Sequence, residues 1–275
     1  MRQESRIKRY FRRSLPVLLV LCVASPAAVF AHDTWLLAQR SEVQPGASAT
    51  LDLTSGMAFP ALDYAIKANR VARASVRLAG KTSPVKTRKS AAHSLRFSAP
   101  LPEPGIATIC VELAPKMLEL TPPKVKEYLD EIAASAEIRQ AWETAAQPRH
   151  WREEYTKHAK TFVRVGQPSA DRSWAEPAGM TLEIVPEKDP TALHSGDELP
   201  VRVLRQGKPF PSFPVGLVRE GDPHDTVLRT DAEGRATFRL DRAGRWLLRG
   251  TDLRRSTKPS LEWESDFTTL TIQVR

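Results

Sequence analysis

A histidine at position 32 follows a segment with the features of a cleavable export signal, and its position gives it unusual chemical potential. Cleavage after Ala31 would let the α-amine and the imidazole of His32 bind one ion together. The α-amine, with an ordinary pKa of roughly 7.7 to 8.0, loses its proton more readily than a lysine does. This pair of nitrogens suits Cu²⁺ or Ni²⁺, and Asp33 can add a carboxylate oxygen. The sequence therefore predicts a transition-metal site at His32 and Asp33.

Alternative interpretations of His32 depend on where the signal ends. Cleavage after Ala27 or Ala28 would leave the histidine inside the chain and remove the amine from the chelate. His32 would then be an exposed residue at the start of the first strand. A complete metal site also needs a further ligand, and the sequence leaves five candidate histidines open: His93, His150, His158, His194 and His224.

His224 lies in the segment 221–225, which reads GDPHD and has the composition of a turn. Carboxylates on both sides of the imidazole make this loop a second candidate for a divalent ion. A turn of this composition is also an ordinary feature of a solvated surface, so both interpretations remain open. The common zinc signatures are missing, since the sequence contains no HExxH, no paired CxxC and no His-x-His spacing.

Motifs that mark common enzyme classes are absent from the sequence. It contains no GxSxG nucleophile elbow, no GxGxxG dinucleotide loop and no GxxxxGK[ST] phosphate loop. The acidic residues are spread along the chain and form no motif. Cys110, set in an apolar strand pattern at 107–113, is expected to be a buried thiol that packs as a small hydrophobic residue. We therefore predict a protein that is not an enzyme.

Residues 1–31 contain the parts of an export signal in the expected order. A basic segment comes first, an apolar segment follows at 15–24, and small residues precede the cut. An uncleaved anchor helix is the alternative, although the apolar stretch is short and broken by proline. The pair Arg12 and Arg13 partly matches a twin-arginine signal, so that route and the general secretory route both remain open. The sequence thus predicts a periplasmic protein.

The charge balance excludes some partners once the signal is set aside. The 275 residues include 41 Lys and Arg against 32 Asp and Glu, with 41% hydrophobic residues. Residues 1–31 hold six of the basic residues and one of the acidic ones, which leaves 35 against 31 in the remainder. This small excess does not predict nucleic acid as a partner. No stretch of 18 or more apolar residues occurs, which excludes a multi-span membrane protein.

The elements that must position these residues change in character along the chain. Alternating apolar and polar residues over 32–113 predict short antiparallel strands separated by turns. The apolar period then becomes three to four residues, so a helical insertion is expected at about 121–160. Strand alternation returns at 161–166, and residues 171–179 have the composition of a linker or a long surface loop.

Residues 180–275 carry strands at the spacing expected of a sandwich. A hairpin turn is predicted at 230–235, with Gly234 at positive φ. We therefore predict an all-β fold of two β-sandwich domains, with immunoglobulin-like or transthyretin-like modules. The first domain covers 32–179 and includes the helical insertion, and the second covers 180–275.

Short motifs follow one another over almost the whole chain after residue 31. They are HDTWLL (32–37), QPG (44–46), YTKHAK (155–160), LEIVP (182–186), DP (189–190), GD (196–197), LPVRVL (199–204), TD (230–231), GR (234–235), GRWLL (244–248) and WES (263–265). In order and spacing these motifs resemble the DUF4198 family of exported bacterial proteins. This family is described as related to the periplasmic component of nickel and cobalt uptake systems. The resemblance implies binding or delivery of Ni²⁺ or Co²⁺ to a membrane transporter.

One stretch departs from the family pattern. Family members often carry a histidine shortly after the Gly-Trp strand, whereas residues 250–253 read GTDL here. The resemblance implies either that Asp252 replaces that histidine as an oxygen ligand or that this part of the site is lost.

Two other functions remain open from the sequence. The first is a copper-dependent redox enzyme with a terminal-histidine brace at His32, which requires a second histidine close in space. The second is a non-catalytic adhesive or polysaccharide-binding module. An exposed aromatic surface would favour the sugar-binding form, whereas burial of all six tryptophans would disfavour it. Core packing is expected for Trp246 and Trp263.

Overall fold

The structure is a computed structural model that describes residues 32–167, 169–222 and 224–275, and the predicted export signal at 1–31 lies outside them. The first part of the described chain contains β1 (Asp33–Ala38), β2 (Glu42–Val43), β3 (Ser48–Gly56), β4 (Tyr64–Ala65), β5 (Val71–Leu78), β6 (Lys81–Pro84), β7 (Thr87–Ser90), β8 (Leu95–Pro100), β9 (Gly105–Leu113), β10 (Lys116–Leu120) and the helices α1 (Pro122–Glu131) and α2 (Ala136–Glu143). The second part contains β11 (Trp151–Val165), β12 (Leu182–Pro186), β13 (Glu198–Arg205), β14 (Lys208–Pro209), β15 (Pro214–Arg219), β16 (Asp225–Arg229), β17 (Arg235–Arg239), β18 (Gly244–Arg255) and β19 (Trp263–Val274).

The described strands form three sheets. The first sheet has the order β7-β8-β3-β1, with β4 paired to β3. The second has ten strands in the order β16-β15-β18-β19-β11-β9-β5-β6, and β2 and β10 also pair with β11. The third has the order β12-β13-β14, with β17 paired to β13. The chain is therefore mostly β and is built from several sheets, as the alternating sequence pattern predicts.

The middle of the ten-stranded sheet is a parallel pair, β11 and β19. It runs from Glu153 beside Trp263 to Thr161 beside Thr271. The other edge of β19 pairs with β18 in antiparallel fashion along the full length of both strands. Parallel strands cannot be joined by a tight turn, and here the whole segment 166–262 separates them. One sheet thus contains strands from both sides of the predicted boundary between residues 179 and 180.

The two faces of this sheet pack against different partners. Ala159, Val163 and Val165 of β11 belong to the apolar core shared with the first sheet. Phe162 of the same strand belongs to the core shared with the third sheet. This alternation follows the two-residue period of a strand, and it places an apolar layer on each side of the ten-stranded sheet.

The two helices follow β10 and precede β11 in the sequence. They pack on a separate core that is rich in aromatic residues. Two prolines stand at the first positions of α1, and the Ser135 hydroxyl caps α2 by accepting the N–H of Ile138 at 3.3 Å. Tyr128 of α1 packs edge-on against Trp151, which stacks on Trp263 with 4.7 Å between ring centroids. Among the described residues, no helix is long and apolar enough to cross a membrane.

The prediction that the helical insertion continues over 151–160 is wrong, because this stretch is the first part of β11. Its many charged residues, with Trp151 and Tyr155 four residues apart, resemble a helix surface. Helix propensity is a weak preference, however, and pairing with other strands outweighs it. Here β10 pairs with one edge of the stretch and β19 with the other.

The predicted hairpin at 230–235 is also wrong, although its glycine behaves as expected. The turn joins β16 to β17, which lie in different sheets. Gly234 has φ of +75°. A side chain there would place its Cβ 2.7 Å from the Val203 carbonyl oxygen and 2.8 Å from the Phe210 nitrogen. Glycine is therefore required both by the backbone conformation and by close contact with the third sheet.

A buried ion pair links β11 to β12. Lys160 Nζ lies 2.7 Å from Glu183 Oε1, and each side chain is 1% exposed. The same carboxylate accepts hydrogen bonds from the backbone N–H groups of Ala178 and Met180. Burial raises the pKa of Glu183, but Lys160 and these N–H groups outweigh that effect and lower the pKa overall.

Replacing Lys160 with methionine should leave the Glu183 charge buried without its cation. We expect the free energy of unfolding to fall by about 3 to 5 kcal/mol, measured by urea denaturation. The double variant Lys160→Met, Glu183→Gln removes the charge and keeps an amide oxygen for the backbone N–H groups. It should be more stable than the single variant. Equal stability of wild type and Lys160→Met would contradict this account.

Candidate functional site

The described chain begins at His32, and neighbouring strands position this residue. β1 starts at Asp33 and pairs with β3, and β3 also pairs with β4, which carries Tyr64. The His32 imidazole stacks on the Tyr64 ring, with 5.0 Å between ring centroids and 9° between ring planes. Lys157 Nζ donates a hydrogen bond to the His32 carbonyl oxygen. The ring and the backbone of His32 are thus each held by a partner.

Lys157 of β11 is a buried lysine beneath the start of β1. Its Nζ lies 5.5 Å from the centre of the Tyr155 ring and 5.3 Å from that of Phe267. Burial lowers the pKa of Lys157 to about 8, and the Asp33 carboxylate only partly opposes this effect. The site therefore contains an ammonium group that is charged at neutral pH but close to its pKa.

The electrostatic surroundings keep His32 mostly neutral. Burial and the Lys157 charge lower the pKa of His32 below its ordinary value of 6.5, whereas the nearby Asp63 and Asp33 carboxylates act in the opposite direction. A neutral imidazole has a lone pair on one ring nitrogen, and this is the form that binds metal ions. The protonation state of His32 at pH 7 is therefore the one that coordination requires.

Asp33 is engaged by an arginine. Its Oδ2 accepts a hydrogen bond from Arg249 Nη1 at 2.6 Å, and Arg249 Nη2 donates to Asp225 at 2.8 Å. Burial lowers the pKa of Arg249, but the two carboxylates outweigh it and raise the pKa overall. Arg249 thus connects the first residues of β1 to the start of β16, and it neutralises part of the acidic charge there.

The other two predicted ligands lie in different surroundings. His224 is exposed, and its backbone N–H donates to Asp222 Oδ1 at 3.0 Å. It precedes Asp225, so Arg249 brings this loop towards Asp33. Asp252 of β18 is buried, and its carboxylate lies 3.4 Å from Arg205 and 3.1 Å from Arg254. The arrangement therefore groups His32, Asp33 and the loop before β16, and it gives Asp252 two arginine partners instead.

His93 is a further histidine near the His32 and Tyr64 pair. Its Nδ1 lies 3.1 Å from the carbonyl oxygen of Asp63, the residue before Tyr64. His150 and His194 are exposed loop residues. Within residues 32–167, 169–222 and 224–275, no three His, Cys, Asp or Glu side chains are grouped so that they could hold a metal ion together.

A pocket of about 380 Å³ opens beside this group. Its apolar wall includes Trp35 and Phe59, whose rings meet edge to face, and Asp33 and Arg249 line its polar side. Met57, which is 63% exposed, also lines it and presents a thioether. The pocket adds space and a soft sulfur atom next to the first residues of β1, neither of which the sequence pattern identified.

A second polar cluster, which the sequence analysis did not find, lies in the middle of the ten-stranded sheet. His158 Nε2 is 2.8 Å from Asp266 Oδ1, and His158 Nδ1 is 3.2 Å from Glu112 Oε2. Arg254 donates to Asp266 at 2.8 Å, and Arg73 pairs with Glu112. The alternation of β11 was the available signal, because it turns His158 and Lys160 to one buried face.

Burial alone would lower the pKa of His158, but hydrogen bonds to Asp266 and Glu112 outweigh it and raise the pKa above 6.5. Burial raises the pKa of both carboxyls, whereas their contacts with His158 and the arginines lower it overall. The three side chains therefore form a charged set across β9, β11 and β19.

Cys110 and the tryptophans are buried, as predicted for Cys110, Trp246 and Trp263. Cys110 is a free thiol that is 2% exposed, and burial raises its pKa to about 12. All six tryptophans of the sequence are buried: Trp35, Trp142, Trp151, Trp174, Trp246 and Trp263. None of them forms the exposed aromatic surface that stacking on sugars requires.

The fold and this polar group define a mostly β protein of several sheets with a candidate site at the first described strand. The chain belongs to the DUF4198 family, a domain of unknown function, whose family model matches residues 29–251. The sequence-based resemblance to this family is therefore confirmed. Comparison with curated proteins finds no match.

Several solved structures share a distant likeness with the chain. The D0-D1 domain of intimin is 12% identical, with 87% of this chain and 97% of that one covered and a TM-score of 0.22. The adhesin InvE of Yersinia pseudotuberculosis is 11% identical, covering 87% and 58%, with a TM-score of 0.22. The alpha-2-macroglobulin of Escherichia coli is 13% identical, covering 89% and 20%, with a TM-score of 0.24. These scores are too low to support an argument about function.

The raised pKa of His158 predicts a specific dependence of stability on pH. A group whose pKa is higher in the folded state stabilises fully below its unfolded value of 6.5 and loses that contribution as pH rises through the folded pKa. Wild type should therefore lose free energy of unfolding, relative to His158→Gln, as pH rises above 6.5 and through the raised pKa of His158. Urea denaturation at a series of pH values measures this difference.

Two comparisons isolate the effect of His158. The lowered pKa of Lys157 makes stability rise with pH above about pH 8, which is the opposite dependence. Wild type and His158→Gln both contain Lys157, so its contribution cancels when their stabilities are subtracted. His194→Gln, at an exposed histidine, is the matched control and should follow wild type. A stability difference between wild type and His158→Gln that stays constant with pH would contradict the charged set.

Proposed function

We propose that the chain is an exported periplasmic protein that binds a divalent transition metal, Ni²⁺, Co²⁺ or Cu²⁺, at His32 once the signal is removed. The observation that carries this proposal is the state of His32. Its imidazole is stacked on Tyr64, its carbonyl is bound by Lys157, and its pKa is lowered. Cleavage after Ala31 would add an α-amine to this positioned residue and complete a two-nitrogen chelate.

Neighbouring groups would complete the coordination in different ways. The Oδ2 atom of Asp33 is bonded to Arg249, so Asp33 would reach an ion through its other oxygen. His224 lies in the loop beside Asp225, which the same arginine binds. An ion at Asp252 would have to compete with Arg205 and Arg254 for the carboxylate. We therefore assign His32 and Asp33 to the main site, with His224 next to it.

In this proposal the protein is not an enzyme and delivers its ion to a membrane uptake system. The relation to nickel and cobalt uptake that the sequence resemblance implies supports this role, and the chain is a member of that family. The alternative is a copper redox enzyme with a terminal-histidine brace at His32. Its second histidine would be His93, which contacts the carbonyl oxygen of Asp63, the residue before Tyr64. Polysaccharide binding is disfavoured, since all six tryptophans are buried.

We further propose that the chain divides near residues 179 and 180 into two sandwich units, with α1 and α2 inserted in the first. Residues 180–275 contain β12 to β19, and most of the core around the third sheet comes from these strands. Limited proteolysis should therefore cut first within 171–179, identified by the masses of the fragments. First cuts within β11 would contradict this division.

The metal proposal is tested with three chains that differ only at the terminus. The first starts at His32, the second is the same chain with its α-amine acetylated, and the third starts at residue 32 with His32→Ala. Calorimetric titration with Ni²⁺ and Cu²⁺ should give one ion per chain for the first. Acetylation removes the amine from the chelate and His32→Ala removes the imidazole, so affinity should fall by at least about tenfold in the second and third.

The exposed His194 provides the control, and His194→Ala should bind like the chain that starts at His32. Intact mass of the protein exported to the periplasm should correspond to a first residue at His32. Equal metal affinity of all three chains would overturn the chelate. A different first residue in the exported protein would overturn the route by which the amine is formed.

A further inference from the structure

A groove of about 480 Å³ lies at the C-terminal end of β18. β15 pairs with β18 only as far as Gly216 beside Arg249, and the chain before β15 then diverges from it. The end of β18 forms one wall, the segment 210–214 forms the second, and the start of α2 forms the third. Its volume falls in the range of small-molecule sites, which span roughly 300 to 1,000 Å³.

The groove carries an excess of positive charge. Four arginines line it, namely Arg205, Arg229, Arg254 and Arg255, whereas the only carboxylates in its lining are Glu137 and Asp252. Asp252 is buried and lies between Arg205 and Arg254. Arg254 also pairs with Asp266, so it is largely neutralised within the sheet. The other three guanidinium groups are exposed or partly exposed and account for the excess.

Apart from the contact of Arg205 with Asp252, the contacts of these three guanidinium groups are with uncharged or aromatic partners. Arg205 stacks over the Phe210 ring at 4.5 Å, and Arg255 stacks over the Trp263 ring at 4.4 Å. Arg229 Nη1 donates to the Ser212 carbonyl oxygen at 2.9 Å, and Arg255 Nη2 donates to that of Ala141 at 2.8 Å. A guanidinium carries five N–H donors, so each of these groups keeps donors for a ligand.

The remainder of the lining is mostly apolar. Ile138 and Ala141 of α2 face the groove, as do Phe213 and Leu253. A small inorganic anion would leave these walls in contact with water. A ligand that combines an anionic group with an apolar body would satisfy both parts of the lining.

We propose that this groove binds an amphipathic organic anion, with its carboxylate, sulfonate or phosphate group against Arg205 and Arg229 and its apolar body against Phe213 and Ile138. Guanidinium groups bind such oxyanions through paired N–H donors. The lining of this site contains neither His32, Asp33 nor His224, and Asp252 in it is already paired with Arg205 and Arg254. It gives the protein a second ligand class, whatever the outcome for the metal site.

The test uses the aromatic sulfonate 8-anilinonaphthalene-1-sulfonate as the probe, with the uncharged N-phenyl-1-naphthylamine for comparison. Fluorescence titration of the whole mature chain in the presence of EDTA should give saturable binding of the sulfonate. The uncharged dye should bind at least about tenfold more weakly. The double variant Arg205→Gln, Arg229→Gln should weaken sulfonate binding at least about tenfold and leave binding of the uncharged dye unchanged.

Arg239→Gln is the matched control, because Arg239 is an exposed arginine of β17, outside the groove lining. It should bind the sulfonate like wild type. Arg229→Gln alone, at an exposed side chain, serves if the double variant does not fold, as judged by its thermal unfolding. Unchanged sulfonate affinity in a folded arginine variant would overturn the proposal. Equal affinity of wild type for the two dyes would also overturn it.

Discussion

The burial of charged and polar side chains on β11 is the constraint on which the rest of the structure depends. Lys157, His158, Lys160 and Arg164 of this strand are all at most 8% exposed. A buried charge needs a partner, because the loss of hydration otherwise costs several kcal/mol. The partners come from five separate segments of the chain: the His32 carbonyl, the carboxylates of Glu112 and Asp266, Glu183, and Asp189. Each pairing therefore fixes the position of another part of the chain relative to β11.

This constraint also accounts for the candidate site at His32. The side chain at position 157 points to the face of β11 that β1 covers, so the ammonium meets the backbone where the described chain begins. The side chain of Asp33 is paired with Arg249 of β18. The first two residues are thus tied to two strands of the ten-stranded sheet, while Tyr64 holds the imidazole from the first sheet. A histidine in a loop without these contacts would be held less firmly than His32.

The parts of the fold that could be predicted from the sequence are those with local signals. The strands of the last third and the positive φ at Gly234 follow from alternation and turn chemistry. The strand character of 151–160 could not be predicted in this way, because its partners β10 and β19 supply the hydrogen bonds. His32 and Asp33 are predicted as metal ligands because they directly follow the predicted export signal. The pairing of Asp252 with two arginines depends on Arg205 of another sheet, so no local pattern indicates it.

The polar pairs on β11 also solve a problem of register. No turn joins β11 to β19, and a slip of two residues would keep every side chain on the same face of the sheet. Apolar packing alone therefore distinguishes the two registers weakly. The polar contacts are specific: His158 meets Asp266, and the buried Glu153 accepts hydrogen bonds from Tyr128 at 2.8 Å and from Ser265. A two-residue slip in one direction would move Ser265 four residues out of register with Glu153, and a slip in the other direction would move Asp266 four residues out of register with His158. Either slip would therefore leave buried polar groups without a partner. Such groups add little to net stability when paired, but their cost when unpaired excludes the wrong register.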